Sequence, residues 1–325
     1  MPIPAVMQGR LSLPVIGAPM FIVSVPALVI AQCRAGVVGC FPALNARPPE
    51  LLETWIVEIK AALAAFEAAT GRKAAPFAVN QIVHASNDRL EHDVAVCVRQ
   101  RVPIVITSLR PPSEVVEAVH AYGGIVLHDV ISIRHAEKAL EQGVDGLILV
   151  CAGAGGHAGM LSPFALVSEI RRFYDGAVIL SGAIANGRSI LAAQAIGADL
   201  AYLGTRFIAT SEANASDGYK RMLVSGAAKD IVYTDAISGV LGNYLRPSLL
   251  AAGLDPDNLP QGGKDKMDFA NRERSRPAAW RDIWGAGQGL GSIDDIPTVA
   301  ALVERLRAEY EAAVRALDAA RFTTG

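Results

Sequence analysis

No charge of either sign dominates this chain of 325 residues: 30 lysines and arginines stand against 32 aspartates and glutamates, a net charge of −2. That balance offers no electrostatic reason to expect nucleic acid or an anionic membrane as a partner. Cysteine is scarce too. Cys33, Cys40, Cys97 and Cys151 form no CxxC pair and sit in apolar strings such as "AGVVGC" and "LILVC". Such settings predict small buried hydrophobes rather than disulfides or metal ligands. No apolar run has the length of a membrane span. The opening "MPIPAVMQGRLSLPVIGAP" lacks a basic stretch followed by a long apolar one, so no signal peptide is expected. The expectation is a soluble, cytoplasmic protein. With 51% hydrophobic and 19% charged residues, it has the means for a large core, which excludes a disordered chain.

What is present is alternation. Eight short apolar runs, "LPVIGAPM", "GVVGCF", "PFAVNQIV", "VPIVITSL", "GIVLHDV", "GLILVCA", "AVILSGA" and "LAYLGTRF", have the continuous hydrophobicity of strands buried on both faces. Amphipathic stretches such as "PELLETWIVEIKAALAAFEAAT" and "SIRHAEKALEQG" lie between them, stopped by glycines. Eight strand-helix units predict a TIM (β/α)8 barrel over residues 1–208. A doubly wound sheet would need a glycine fingerprint after the first strand, where this chain has "APMFIVS". Residues 209–276 are polar and turn-rich and predict a smaller, mostly helical lid, with "KDKMDFANRERSR" as a solvated stretch. Residues 277–325 return to the barrel and end in a long helix. There Val299, Leu302, Val303, Leu306, Tyr310, Val314 and Leu317 recur at helical intervals and should face the barrel wall.

Function in such a barrel gathers at the C-terminal ends of the strands. That rule selects Ala18, Pro19 and Met20 after the first strand, and Asn80 and Gln81 on the third. Thr107 and Ser108 follow on the fourth, His128 and Asp129 on the fifth. The sixth strand runs into "VCAGAGGHAG", which holds Gly156 and His157; the seventh ends at Ser181, Gly182 and Ala183, the eighth at Gly204 and Thr205. Loops seven and eight are where barrels bind phosphate, so Gly182, Asn186, Gly187, Gly204 and Thr205 are expected to hold one. "GAGGHA" satisfies a dinucleotide spacing, but its helix starts only at Ser162-Pro163 and no acidic residue follows the next strand. His84, His92, His120 and His135 have no partners at metal spacing. His128 closes an apolar strand, where a structural role and a ligand contact both remain open. His157 has neighbours too small to bury it, which points to chemistry.

In order, "GAPMF", "FAVN", "AGGHAG", "SGAIANG", "LGTRF" and "IWGAGQGLGSI" resemble the nitronate monooxygenase family, formerly called 2-nitropropane dioxygenases. The resemblance runs from about residue 14 to about residue 295. That family also includes FMN-dependent NAD(P)H:quinone reductases and a flavin-type enoyl-acyl-carrier-protein reductase. The resemblance implies non-covalent FMN with Ala18, Pro19 and Met20 against the isoalloxazine and Asn80 on its polar edge. It places Gly182, Ala183, Gly204 and Thr205 at the phosphate, with Ser181 as a further cofactor contact. His128, Gly156, Gly287 and Gln288 complete the expected cofactor contacts, and His157 matches the active-site histidine. The implied reaction is oxidation of alkyl nitronates by O2 to a carbonyl compound and nitrite; the alternative is NAD(P)H-dependent reduction of a quinone or enoyl thioester. Three departures border the substrate: Asp129 after the strand-five histidine, "VITSLRPP" on strand four, and Ala154 where many relatives carry glutamate.

Overall fold

The computed structural model describes residues 3–260 and 281–320. The stretch "KDKMDFANRERSR" and the boundary expected at 276/277 lie outside them. In chain order the strands are β1 (Val15–Gly17), β2 (Gly39–Pro42), β3 (Phe77–Val83), β4 (Ile104–Leu109), β5 (Ile125–Val130) and β6 (Gly146–Val150). A two-residue β7 (Gly156–His157) follows, then β8 (Ala177–Ser181), β9 (Leu200–Leu203), β10 (Ile231–Thr234) and β11 (Gly242–Leu245). All eight apolar runs of the sequence are strands of one parallel sheet, ordered β1-β9-β8-β6-β5-β4-β3-β2. A parallel bridge from Ile16 to Val38 joins its two edges, with Gly17 N–H donating to Val38 O at 2.7 Å. The sheet is a barrel.

Alternation along each strand explains the unbroken hydrophobic runs. Ile16, Ile104, Ile106, Leu127, Ile148, Ile179 and Leu200 fill the interior, with Met7 packed among them. Their neighbours Val15, Val105, Val126, Leu147, Val178 and Ala201 face the helices. Both faces are therefore dry, as a sheet enclosed by helices requires. The four cysteines are free and buried. No helix among the described residues is long and apolar enough to cross a membrane.

The helices are α1 (Pro26–Ala35), α2 (Leu51–Thr70), α3 (Leu90–Arg99), α4 (Ser113–His120), α5 (Ile133–Glu141), α6 (Pro163–Ile170) and α7 (Gly187–Ala195). After the barrel come α8 (Thr205–Ile208), α9 (Asp217–Ser225), α10 (Arg246–Ala251) and α11 (Val299–Ala319). The last of these packs on α7 and α1 through Val299, Leu302, Val303 and Leu306, all buried. Val314 and Leu317 are exposed at 41% and 61%, so the far end of α11 leaves the wall it was expected to cover.

The junction of α7 with α11 also occupies two expected phosphate contacts. The Asn186 side chain caps α7 by accepting from Ser189 N–H, and Gly187 N–H donates to Glu309 Oε2 at 2.7 Å. A Cβ on Gly187 would stand 2.2 Å from Tyr310 N. Asn186 and Gly187 thus dock a helix and are already satisfied. Gly187→Ala is expected to cost about 1–3 kcal/mol of stability by overpacking while the purified protein keeps its ligand, as a melt and a cofactor-to-protein ratio would show.

Residues 209–260 hold α9 and α10, as a helical region should, and also a β-hairpin. β10 pairs antiparallel with β11, and β11 pairs with β7, placing Gly242 opposite His157 and Asn243 opposite Gly156. The region that follows the barrel is therefore stitched to the strand-six loop by main-chain hydrogen bonds.

Candidate functional site

A cavity of about 390 Å³ opens over the C-terminal ends of the barrel strands, within the range of small-molecule and cofactor sites. Its lining includes Ala18, Pro19, Met20, Asn80, Gly156, His157, Ser181, Gly182, Ala183, Gly204, Thr205 and Gly287. Most of the side chains and glycines singled out from the sequence are thus brought to one place. His128 and Gln288 do not line it.

His128 fails for a reason of parity. Leu127 points into the barrel, so its neighbour points out toward the helices. There the His128 imidazole pairs with Thr107 Oγ1 at 2.8 Å, 3% exposed. Burial pushes its pKa down to about 4, so it stays neutral. Asp129 takes the inward place instead and lines the cavity. Gln288 is exposed and contributes its N–H to Gly153 O at 2.9 Å; it fastens the returning segment to the strand-six loop.

The polar floor can be read proton by proton. Asn80 Nδ2 donates to Ile106 O and, at 2.9 Å, to Ser108 Oγ. Both of its N–H groups are therefore committed, and Oδ1 is what Asn80 can offer a ligand, as an acceptor. Ser108 passes its own proton to Asp129 Oδ2 at 2.6 Å. Asp129 Oδ1 and Tyr202 Oη are buried with no hydrogen-bond partner among the described residues. An orphaned buried polar atom costs about 1–3 kcal/mol, and both residues line the same cavity. The floor is shaped for the polar edge of a ligand.

Burial pushes the Asp129 carboxyl up from 3.8 to about 6, against the Ser108 hydrogen bond that holds it down. The folded chain then binds this proton more tightly than the unfolded one. The associated stability is full below pH 4 and is lost as pH rises through 6, on the order of 3 kcal/mol. His128 acts oppositely: its folded value lies below its ordinary 6.5, so its contribution is present above pH 6.5 and fades toward pH 4. Asp129→Asn removes only the first contribution. The apoprotein variant should gain stability over wild type progressively between pH 4 and 7, measured as the difference in melting temperature.

The turn after β8 rests on Gly182, whose φ is +146°, followed by Ala183 at +55°. After β9, the first N–H groups of α8 have no intrahelical acceptor and Thr205 lies at the cavity. Thr205 Oγ1 accepts from Gly287 N–H at 2.8 Å, which leaves its proton for a ligand. The adjacent Arg206 is turned away, 2% exposed, with its guanidinium on Asp295 Oδ1 at 2.7 Å. Among the described residues, no lysine or arginine lines the cavity. An anion here would be met by main-chain N–H groups and one hydroxyl.

The bareness of the strand-six loop has a cause the sequence did not disclose. A Cβ on Gly155 would stand 2.8 Å from Gly287 N, and one on Gly287 2.7 Å from Gly153 O. These glycines let the returning "WGAGQG" segment lie directly on the loop. His157 is then held by the hairpin. Its Nε2 is 2.9 Å from Ser238 Oγ, and Ser238 Oγ lies 3.1 Å from Val240 O, which only accepts. Tyr244 Oη donates to Ser238 Oγ at 3.0 Å. With the single serine proton on Val240 O, Ser238 Oγ is left as the acceptor for Nε2. Ser238 and Tyr244 lay beyond sequence reasoning, because nothing local marks a serine that will meet a histidine 81 residues away.

A sequence model of the family described as nitronate monooxygenase matches residues 7–309. The chain belongs to the nitronate monooxygenase family. It is 29% identical over 221 residues to nitronate monooxygenase of Paraburkholderia phytofirmans, a match covering 64% of this chain and 60% of that protein. It is 24% identical to (3aS,4S,5R,7aS)-5-hydroxy-7a-methyl-1-oxo-octahydro-1H-indene-4-carboxyl-CoA dehydrogenase of Rhodococcus jostii, over 95% of both. Among solved structures, FabK from Thermotoga maritima superposes with a TM-score of 0.75 at 25% identity, covering 96% of each chain. Nitroalkane oxidase from Streptomyces ansochromogenes shares the fold at a TM-score of 0.77 and 24% identity, covering 96% of this chain and all of that one (100%). Family membership makes the protein an oxidoreductase on a (β/α)8 barrel.

Proposed function

We propose that this protein holds FMN across the barrel mouth and oxidises alkyl nitronates with O2, yielding a carbonyl compound and nitrite. The observation that carries the reading is His157, fixed by Ser238 at the edge of a cavity with a polar floor and an apolar rim. The residues present suit the cofactor. Asn80 Oδ1 is an acceptor for a ring N–H, and Ala18, Pro19 and Met20 offer a side-chain-poor wall. Gly182, Ala183, Gly204 and Thr205 form a phosphate cradle without a cation. Bound FMN would supply the electron acceptor that no side chain here provides.

The rest is the chain's own work. A nitronate is already an anion, so His157 binds and orients its oxygens rather than removing a proton. With a neutral nitroalkane the His157 imidazole takes the α-proton, and Ser238 holds the ring in place. The apolar rim of Met20, Leu44, Ile82 and Ile131 takes the alkyl chain and keeps water from the reacting carbon. Residues 209–260 would belong to the lid, since Tyr219 and Val240 reach the cavity from that region.

The same rim, together with whole-length likeness to a carboxyl-CoA dehydrogenase and to FabK, favours one second reading: NAD(P)H-dependent reduction of a quinone or enoyl thioester. Parallel assays separate the two. Nitrite released from an alkyl nitronate under air, without NAD(P)H oxidation in the presence of quinone, supports the first. The reverse pattern supports the second.

A further inference from the structure

The geometry points to Asp129 as the residue that takes up a proton when the bound flavin is reduced, so that the protein neutralises the charge arriving with the electrons. This rests on the FMN reading above.

Asp129 is the terminus of a directed chain, Asn80 to Ser108 to Asp129, and its Oδ1, like Tyr202 Oη on the same cavity, has no partner among the described residues. Asn80 can only accept, and an oxidised isoalloxazine has one ring N–H, at N3. Two carbonyls flank N3, with N1 and N5 beyond them. A flavin that donated N3–H to Asn80 would have one of these flanks within reach of the chain that ends at Asp129. Both flanks become more basic on reduction.

Electrostatics demand a proton here. Among the described residues no lysine or arginine lines the cavity and Arg206 is committed to Asp295, so none of their fixed cations meets the added negative charge. The groups facing Asp129 are Asn80 on β3, Ser108 on β4, Cys40 on β2 and Tyr202 on β9. Burial holds the Cys40 thiol and Tyr202 phenol well above their ordinary values, so both stay neutral and neither can serve as a counter-ion. Burial also raises Asp129 to about 6 before any flavin charge is added, and a nearby negative charge raises it further. His135 stands at the exposed rim and His157 on the strand-six loop, so the histidines are the competing proton acceptors.

The balance is explicit. Two electrons and one proton enter the flavin, which gains one negative charge; a second proton from solvent converts the Asp129 carboxylate to the acid. The donor is nitronate in the proposed reaction, or dithionite in the test.

The test is proton uptake per two electrons, read by a pH indicator in weakly buffered holoenzyme at pH 8 during anaerobic dithionite titration, corrected for the protons dithionite releases. Wild type and His157→Ala should take up close to two protons, Asp129→Asn close to one. One proton in wild type, two in Asp129→Asn, or loss of the second proton in His157→Ala would each overturn the assignment. Should Asp129→Asn not fold, the infrared difference spectrum of wild type decides. A carboxylic C=O band gained on reduction is expected, and its absence contradicts the proposal. A protein that neither carries nor takes up FMN would instead overturn the cofactor reading, and this assignment with it.

Discussion

His157→Ala is expected to retain FMN at the wild-type ratio while turnover of a neutral nitroalkane falls by roughly 10²–10⁴-fold, the usual contribution of a positioned general base. The cofactor should survive because the cradle and floor are built from other elements, β3, β4, β8 and β9, and because His157 lies on β7 in the small outer sheet. The loss should be smaller for the corresponding nitronate, whose carbon has already given up its proton, so that only anion binding is removed. The two substrates therefore separate the roles. An equal loss on both would assign His157 to binding alone. Loss of the flavin would assign it to cofactor retention. Ser238→Ala, which frees the imidazole from its 2.9 Å contact, should reproduce part of the nitroalkane defect and little of the nitronate one.

Gly182→Ala is the second substitution with a large expected effect, on the cofactor rather than on the chemistry. At φ +146° the backbone sits where an L side chain is strained by about 1–3 kcal/mol. A methyl there would also meet Ala152 O at 2.8 Å. The main-chain atom cannot rotate out of the way, so the turn between β8 and α7 must shift, and it carries one wall of the phosphate cradle. The variant should purify with little flavin and a lowered melting temperature. Gly187→Ala, five residues on, should lower the melting temperature and keep the flavin. If the two behave alike, loop seven has no special part in holding the phosphate.

These contrasts show where the sequence was transparent. The barrel was legible because each of its strands is buried on both faces, which leaves an unbroken apolar run such as "GLILV" or "AVILS". The outer sheet was not: β7 is two residues long, and "IVYT" and "GNYL" owe their pairing to partners far along the chain. Position along a strand located the rim correctly, but choosing between His128 and Asp129 needed the in-out parity set by Leu127. That signal was available in the sequence, had the alternation been counted from the strand's interior residues. The misreading of Gly187 has another origin. A glycine at a helix start looks the same whether it meets a phosphate or, as here, the backbone of α11.

The account stands on an FMN that accepts electrons from nitronates in this cavity. The most direct test is the anaerobic visible spectrum of the purified protein before and after an alkyl nitronate is added. A flavin spectrum that bleaches on addition is the predicted result. A flavin spectrum left unchanged by nitronate, or a protein with no flavin spectrum at all, would contradict it.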